Sequence, residues 1–201
     1  MVKTAAKIKK TNRPDDIKQP LPTDLSEPAK ARHLYLMRHG KSEKPKKKNK
    51  DVLRPLEKRG RKDVKKIRKL MRKQHIRPDL ILCSPSLRTV ETLKKLKKAF
   101  PPTEVVFIDA LYMADADEIM HILHQIAPEK HDVLLIGHNP GLQDFLTQIE
   151  KSGNERPKNG SHRVSEGFPT AALACLELTR TWPFLSDQSA RLTNFVYSSD
   201  L

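Results

Sequence analysis

The sequence is poor in aromatic residues and cysteine, and it contains no long apolar run. Aromatic side chains make up only 5% of the 201 residues, so we expect a core built mainly from aliphatic side chains. No apolar stretch approaches the roughly 20 residues that a membrane-spanning helix needs, so no membrane contact is expected. The N-terminus lacks the apolar segment of a secretory signal peptide, and four acidic residues argue against a transit peptide: Asp15, Asp16, Asp24 and Glu27. We therefore expect a cytoplasmic protein.

The two cysteines, Cys83 and Cys175, each lie in an apolar segment. This setting is typical of reduced core side chains and disfavours a disulfide or a metal-binding pair. The length of the chain is that of one domain with tails, and it is sufficient to bury a substantial core.

Positive charge is in excess, and it is distributed unevenly along the chain. The formal net charge is +15, to which residues 1–50 contribute +10, residues 51–100 contribute +12 and residues 101–201 contribute −7. Such asymmetry indicates an anionic substrate or partner that is attracted to one face. The alternative is a lysine-rich surface that is merely solvated. The sequence is therefore consistent with two interpretations: the Lys-rich face contacts a polyanion, or it is only solvated.

Three polar segments have the composition of loops or tails. Residues 1–31 contain several prolines and many lysines, so we predict a flexible basic arm that precedes a domain at residues 32–201. The run Lys44–Lys50 is predicted to be an exposed basic loop, and its nearness in sequence to His39 places it at the rim of any site there. Residues 151–166 are predicted to form a further loop.

Short apolar runs alternate with segments of helical periodicity. The apolar runs predict strands at Leu34–Met37, Leu80–Cys83, Val105–Ile108, Val133–Ile136, Thr170–Leu178 and Leu192–Tyr197. Helices are predicted from Arg61, after Arg88, at Asp115–Ile126 and from Leu142. This alternation predicts an α/β fold, a three-layer α/β/α sandwich around a mostly parallel sheet.

Three of the predicted strands are followed by a turn that carries a cation or an imidazole. Arg38 and His39 follow the first strand, Arg88 follows the second and His138 follows the fourth. Because ligands bind at the carboxyl ends of strands in such sheets, we expect these side chains to converge. Arginine matches phosphate oxygens bidentately, and histidine is a competent nucleophile near neutral pH. The sequence therefore predicts a site for a phosphate group.

These turns also resemble known motifs. The stretch Leu36–Ser42 (LMRHGKS) resembles the RHG signature of the histidine phosphatase superfamily, which has the phosphoglycerate mutase-like fold. Further matches are Ser84–Thr92, Ile136–Gly141, Arg54–Leu56 with Gly60, and the C-terminal pattern from Pro169 to Trp182. Taken together, these motifs resemble the SixA-like phosphohistidine phosphatase branch over residues 33–201.

The resemblance implies roles for the residues that match. His39 would be the nucleophile and would form a phosphohistidine intermediate. Arg38 and Arg88 would hold the phosphoryl oxygens, and His138 would contact the same phosphoryl group. No metal and no other cofactor is expected, because the arginines and histidines supply the positive charge.

Four further residues are candidates for contact with the substrate: Lys41, Ser42, Arg54 and Asn139. Lys41 and Ser42 follow the nucleophile closely, although both fit a surface role at the start of a helix. Arg54 either reaches the phosphate or ties its loop to an acidic neighbour. Asn139 fits the ordering of its turn better than contact with substrate.

One feature of the superfamily is missing from this sequence. Many members place a glutamate after the third strand as general acid, whereas Asp109–Asp115 contains none. Asp115 is a candidate replacement, but an aspartate there also suits the N-cap of the following helix. An imidazole leaving group can already carry a proton on its other nitrogen, since its pKa lies near neutrality. The missing acid therefore favours phosphohistidine over an alkyl phosphate.

We thus expect a metal-independent phosphatase that acts on the phosphohistidine of proteins. One alternative is hydrolysis of a small or polymeric anionic phosphate compound, such as polyphosphate or a nucleotide. The other is a polyanion-binding protein without catalytic activity. The four intact residues Arg38, His39, Arg88 and His138 argue against this last alternative.

Overall fold

The structure is a computed structural model that describes residues 31–45, 51–152 and 164–201. Its sheet has the strand order β3-β2-β4-β1-β5-β6. The strands are β1 (Arg32–Arg38), β2 (Leu80–Cys83), β3 (Glu104–Phe107), β4 (Asp132–Gly137), β5 (Leu173–Leu178) and β6 (Ala190–Val196). Each of the six predicted strands is therefore present, with ends that differ by up to three residues.

The helices of the described residues are α1 (Lys58–Lys73), α2 (Leu87–Leu96), α3 (Ala116–His124) and α4 (Gly141–Lys151). All four were predicted, but α1 begins three residues before Arg61. Because of this early start, Gly60 lies inside the helix, although glycine is normally unfavourable in a helix. Two single-turn helices, at Asp51–Leu53 and Asp109–Tyr112, lie in the connections before α1 and α3.

The sheet is mixed, with a parallel majority. Strand β4 pairs in parallel with both β1 and β2, and β2 pairs in parallel with β3. Strand β5 is antiparallel to its two neighbours, β1 and β6. No α-helix lies between β5 and β6, and a connection without a crossover helix produces antiparallel neighbours. The prediction of a mostly parallel sheet is confirmed, with β5 as the exception.

Helices cover both faces of the sheet, as the predicted sandwich requires. Successive residues of a strand point to opposite faces. Met37 of β1 packs with the buried side of α1, whereas Leu36 packs with α3 and α4. The α1 contribution consists of Val64, Ile67 and Met71, and the α3 and α4 contributions include Ile119, Leu123, Leu142 and Phe145. These two aliphatic layers hold the strand ends, and the turns that follow them, in fixed positions.

Cys83 and Cys175 are free and buried, as predicted. Among the residues that the structure describes, no helix is long and apolar enough to cross a membrane. Three stretches lie outside the described residues: residues 1–30 of the predicted N-terminal arm, the basic loop except Lys44 and Pro45, and residues 153–163 of the later loop.

Candidate active site

His39 leaves the sheet at the carboxyl end of β1, where α1 approaches the backbone closely. A Cβ atom on Gly60 would lie 2.1 Å from the carbonyl oxygen of Lys41, and one on Gly40 would lie 2.8 Å from Val64 Cγ2. Only glycine at both positions allows this close packing without a shift. The Gly40 N–H also donates to Thr92 Oγ1 at 3.0 Å, which ties the turn to α2.

The hydrogen bond of His39 determines its tautomer. Its Nδ1 lies 2.8 Å from the Gly40 carbonyl oxygen, which can only accept, so Nδ1 carries the proton. In the neutral ring Nε2 then holds the lone pair. The pKa of His39 is lowered to about 4, mainly by burial and also by the charges of Arg88, Arg38 and Arg54, while the Gly40 hydrogen bond acts in the opposite direction. The ring is therefore a neutral imidazole at physiological pH.

Arg88 lies in the first turn of α2 and faces this lone pair. Its Nε donates to His39 Nε2 at 3.3 Å, and its side chain is buried. Nη1 donates to the Asp51 carbonyl oxygen at 3.0 Å, and Nη2 lies 3.1 Å from Asp51 Oδ2. These contacts hold the guanidinium directly beside His39 Nε2.

His138 follows β4 and completes the pair of imidazoles. The ring centroids of His39 and His138 are 5.1 Å apart. His138 Nε2 lies 2.8 Å from Ser84 Oγ, at the end of β2. The pKa of His138 is lowered to about 3, mainly by burial and also by the neighbouring His39 and Arg88. The convergence of the turns after β1, β2 and β4, predicted from the sequence, is therefore observed.

Arg38 and Asn139 share one backbone partner. Arg38 Nη1 donates to the Phe168 carbonyl oxygen at 2.7 Å, and Asn139 Nδ2 donates to the same oxygen at 3.1 Å. The contact of Asn139 is one that orders its turn. Arg38 lies close enough to lower the pKa of both His39 and His138. The role of the Phe168 carbonyl had no signal in the sequence, because any residue supplies a backbone oxygen.

Asp51 is a member of the site that was not predicted from the sequence. Its carboxylate contacts Arg88, Arg54 Nε at 2.7 Å and the Tyr112 hydroxyl at 2.6 Å. Arg54 therefore ties its loop to an acidic neighbour, one of its two predicted roles, while its charge still acts on His39. The spacing of Asp51 three residues before Arg54 was the available signal. Tyr112 also packs edge-on against the His138 ring, with the ring centroids 5.6 Å apart.

Lys41 and Ser42 take part in contacts that stabilise the loop before α1. Lys41 Nζ lies 3.1 Å from Glu57 Oε1, and Ser42 forms an isolated antiparallel bridge with Leu56. Leu56 N–H in turn donates to Glu91 Oε2 of α2 at 2.7 Å. Contact of Lys41 or Ser42 with substrate stays a prediction.

Asp115 occupies the N-cap of α3, and its Oδ1 accepts the Glu118 N–H at 2.8 Å. The helix-cap alternative is thereby confirmed, and the role of general acid stays a prediction. Ser86 stands at the N-cap of α2 without a side-chain cap hydrogen bond, because the Ser86 and Ser84 hydroxyls contact Thr89 and His138 instead.

The site thus combines a buried neutral imidazole with fixed guanidinium donors, an arrangement suited to phosphoryl transfer. Within residues 31–45, 51–152 and 164–201, no group of three potential metal-ligating side chains comes together.

Comparison with known proteins agrees with this geometry. Residues 34–132 match the histidine phosphatase superfamily (branch 1). An uncharacterized Mycobacterium leprae protein is 30% identical over 115 residues, which are 57% of this chain and 68% of that protein. The chain belongs to the histidine phosphatase superfamily, and a phosphatase is the class of activity that this membership supports.

Within the superfamily, the chain is similar to SixA proteins. A Nakamurella multipartitia structure assigned as phosphohistidine phosphatase SixA shares 25% identity at a TM-score of 0.74, covering 85% of this chain and 98% of that one. An Agrobacterium tumefaciens structure with the same assignment shares 29% identity at a TM-score of 0.68, covering 82% and 97%. The fold also occurs, at 15% identity, in a mycobacterial glucosyl-3-phosphoglycerate phosphatase (TM-score 0.55, 84% and 98% covered). The fold alone therefore does not decide the substrate.

Proposed function

We propose that the chain is a metal-independent phosphatase whose nucleophile is His39 and whose leading substrate is the phosphohistidine of proteins. The observation that carries the proposal is the pairing of His39 Nε2, which holds the lone pair, with Arg88 Nε at 3.3 Å. A nucleophile and a phosphate-binding cation are thus in position around one reacting atom.

In the first step His39 Nε2 attacks the phosphorus atom, and the bond from phosphorus to the leaving group breaks. A substrate imidazole protonated on its far nitrogen takes the electron pair of the broken bond and leaves as neutral imidazole. It needs no proton from the protein. Nδ1 of His39 keeps its proton and donates a hydrogen bond to the Gly40 carbonyl oxygen, which stabilises positive charge on the phosphorylated ring.

In the second step water attacks the phosphorylated His39. The bond between Nε2 and phosphorus breaks, its electron pair returns to Nε2, and phosphate leaves as the monoanion with both protons of the water. Arg88 and Arg38 stabilise the oxygens in both steps, because guanidinium groups form strong charge-assisted hydrogen bonds with phosphate. His138 lies close enough to contact the same phosphoryl group.

The proposed choice of a phosphohistidine substrate depends on the side chains near the leaving group. Asp115 caps a helix, and the pKa of Asp51 is lowered by its hydrogen bond with Tyr112 and by Arg88 and Arg54, which keeps it ionised. An ionised carboxylate is a poor proton donor. A leaving group that brings its own proton therefore fits this site better than an alcohol.

The first test removes the nucleophile. His39→Ala should abolish phosphate release from an aryl phosphate assayed without metal, because no other group takes the place of Nε2. The matched control is His121→Ala, which removes an exposed histidine of α3 and should leave turnover unchanged. Full turnover by His39→Ala would contradict the catalytic assignment.

The second test ranks substrates. One phosphohistidine protein, one sugar phosphate and polyphosphate are compared by kcat/KM with the wild-type chain. We expect the phosphohistidine protein to be preferred. A strong preference for the sugar phosphate or for polyphosphate would overturn the substrate assignment and leave the His39 mechanism in place.

A further inference from the structure

A row of lysines runs along the side of α1 that faces away from the core. The helix buries Gly60, Val64, Ile67 and Met71. At about 100° per residue, the direction opposite to this buried side is occupied by four exposed residues, which we call the lysine stripe: Lys58, Lys62, Lys65 and Lys69. Exposed Arg72 and Lys73 flank its C-terminal end. With a rise of 1.5 Å per residue, the stripe is about 16 Å long.

Within the described residues, the side chains of the lysine stripe have few charged partners. Other cations of α1 do have partners: Arg59 pairs with Asp63 at 3.7 Å, and Lys66 donates to the Ser198 carbonyl oxygen at 3.0 Å. In the same part of the chain, no ion pair or hydrogen bond involves the side chains of Lys62, Lys65 or Lys69. Lysines spaced three and four apart on one helix repel each other. An anionic partner would relieve this repulsion.

The lysine stripe begins next to the candidate active site around His39 and Arg88, which we call the phosphate pocket. The first turn of α1 contains Gly60, which packs directly on the backbone of Lys41, two residues after His39. The helix then runs away from the edge of the sheet where the pocket lies. A partner whose phosphorylated side chain enters the pocket would therefore meet the lysine stripe with the surface beside that side chain.

We propose that the lysine stripe docks an acidic protein surface next to the phosphohistidine that enters the pocket; this inference rests on the proposed function. Lysine is a hydrated point charge that tolerates carboxylates in varied geometry, whereas bidentate recognition of phosphodiesters favours arginine. The stripe has no aromatic residue on which a nucleic acid base could stack. The apolar side of α1 is in the core, so it does not insert into a membrane.

The test uses two synthetic peptides that each contain one phosphohistidine. One has neutral flanks of serine and alanine, and the other has six glutamates on one side. An extended hexapeptide spans about 20 Å, which matches the length of the lysine stripe. We expect kcat/KM at low salt to be about tenfold higher for the acidic peptide, and this preference to disappear in about 0.5 M salt, where charges are screened beyond a few ångströms.

The variant removes three charges of the lysine stripe and keeps helix propensity: Lys62→Gln, Lys65→Gln and Lys69→Gln together. The matched control removes three cations elsewhere: Lys151→Gln, Arg180→Gln and Arg191→Gln. The stripe variant should lose the preference for the acidic peptide, with unchanged turnover of the neutral peptide and of an aryl phosphate. The control should keep the preference.

Each remaining outcome has a separate meaning. Equal kcat/KM for both peptides in the wild-type chain would overturn the docking inference and leave the proposed function standing. Hydrolysis of neither peptide, with the aryl phosphate still turned over, would contradict the protein substrate and this inference with it. Binding of a nucleic acid duplex through the stripe, without any peptide preference, would overturn the acidic-protein assignment in favour of nucleic acid.

Discussion

The carboxylate of Asp51 connects three side chains of the candidate site. Its carboxylate lies between Arg88 and Arg54, two of the cations near His39, and it accepts a hydrogen bond from Tyr112. In the absence of substrate it therefore satisfies donors that a phosphoryl group would use. A fixed negative charge there also repels an incoming phosphate. Asp51 should consequently limit how tightly the product phosphate is held.

We expect Asp51→Asn to bind inorganic phosphate about threefold to tenfold more tightly, measured as the constant for competitive inhibition. Asparagine keeps the size and one acceptor oxygen but removes a charge whose interaction with phosphate at about 6 Å amounts to roughly 1 kcal/mol in a high effective dielectric. Asp109→Asn, which neutralises an exposed carboxylate of the same connection as Tyr112, should have no such effect. Weaker phosphate binding by Asp51→Asn would show that its main role is to orient Arg88.

At the scale of elements, α1 fixes the backbone around His39 through the close packing of Gly60 in the helix and Gly40 in the turn. Sequence patterns treat Gly60 as a residue that precedes a helix, which explains why the predicted start of α1 is too late. The structure places Gly60 inside the helix because only a residue without a side chain lets α1 contact the Lys41 backbone. The backbone after His39 is thereby fixed by packing that no local pattern encodes.

Gly60→Ala should destabilise the chain by about 2–3 kcal/mol in urea unfolding and lower kcat, because the new Cβ would lie 2.1 Å from a backbone oxygen. Helix propensity alone predicts the opposite sign, since alanine is favoured over glycine by about 1 kcal/mol. The control is Gly137→Ala, whose Cβ would meet Leu135 Cδ2 at an ordinary 3.4 Å. A stabilised Gly60→Ala would contradict the close approach of α1.

For the molecule as a whole, the site imposes a pH dependence on folding. Burial holds the pKa of His39 at about 4 and that of His138 at about 3, against about 6.5 in an unfolded chain. Between these values the unfolded chain binds more protons than the folded one. The free energy of unfolding therefore falls as the pH falls through 6.5 and continues to fall toward 4.

We expect His39 by itself to lower the free energy of unfolding by roughly 1–2 kcal/mol between pH 7 and pH 5. His39→Gln has no titrating ring, so its loss over the same range should be smaller by that amount. Urea unfolding at the two pH values measures both chains. An equal loss in wild type and variant would show that His39 titrates near its usual pKa in the folded protein.

Much of this protein could be predicted from its sequence, because the relevant signals are local. The apolar runs before Arg38, Arg88 and His138 predicted buried strands, and strand direction predicted that their ends share one edge of the sheet. Aliphatic spacing likewise predicted all four helices among the described residues. The opposite direction of β5 was not predicted, since pairing partners are distant in the chain.

Three features could be predicted from local sequence signals: the α/β sandwich, the convergence of Arg38, His39, Arg88 and His138 at one edge of the sheet, and the excess of charge on α1. Hydrophobic periodicity and residue chemistry are sufficient for these. Only the tertiary structure decided which nitrogen of His39 holds the lone pair, that Asp51 and Tyr112 enter the site, and that Asp115 caps a helix. The physical reason is that hydrogen-bond geometry and desolvation depend on atoms brought together from distant parts of the chain.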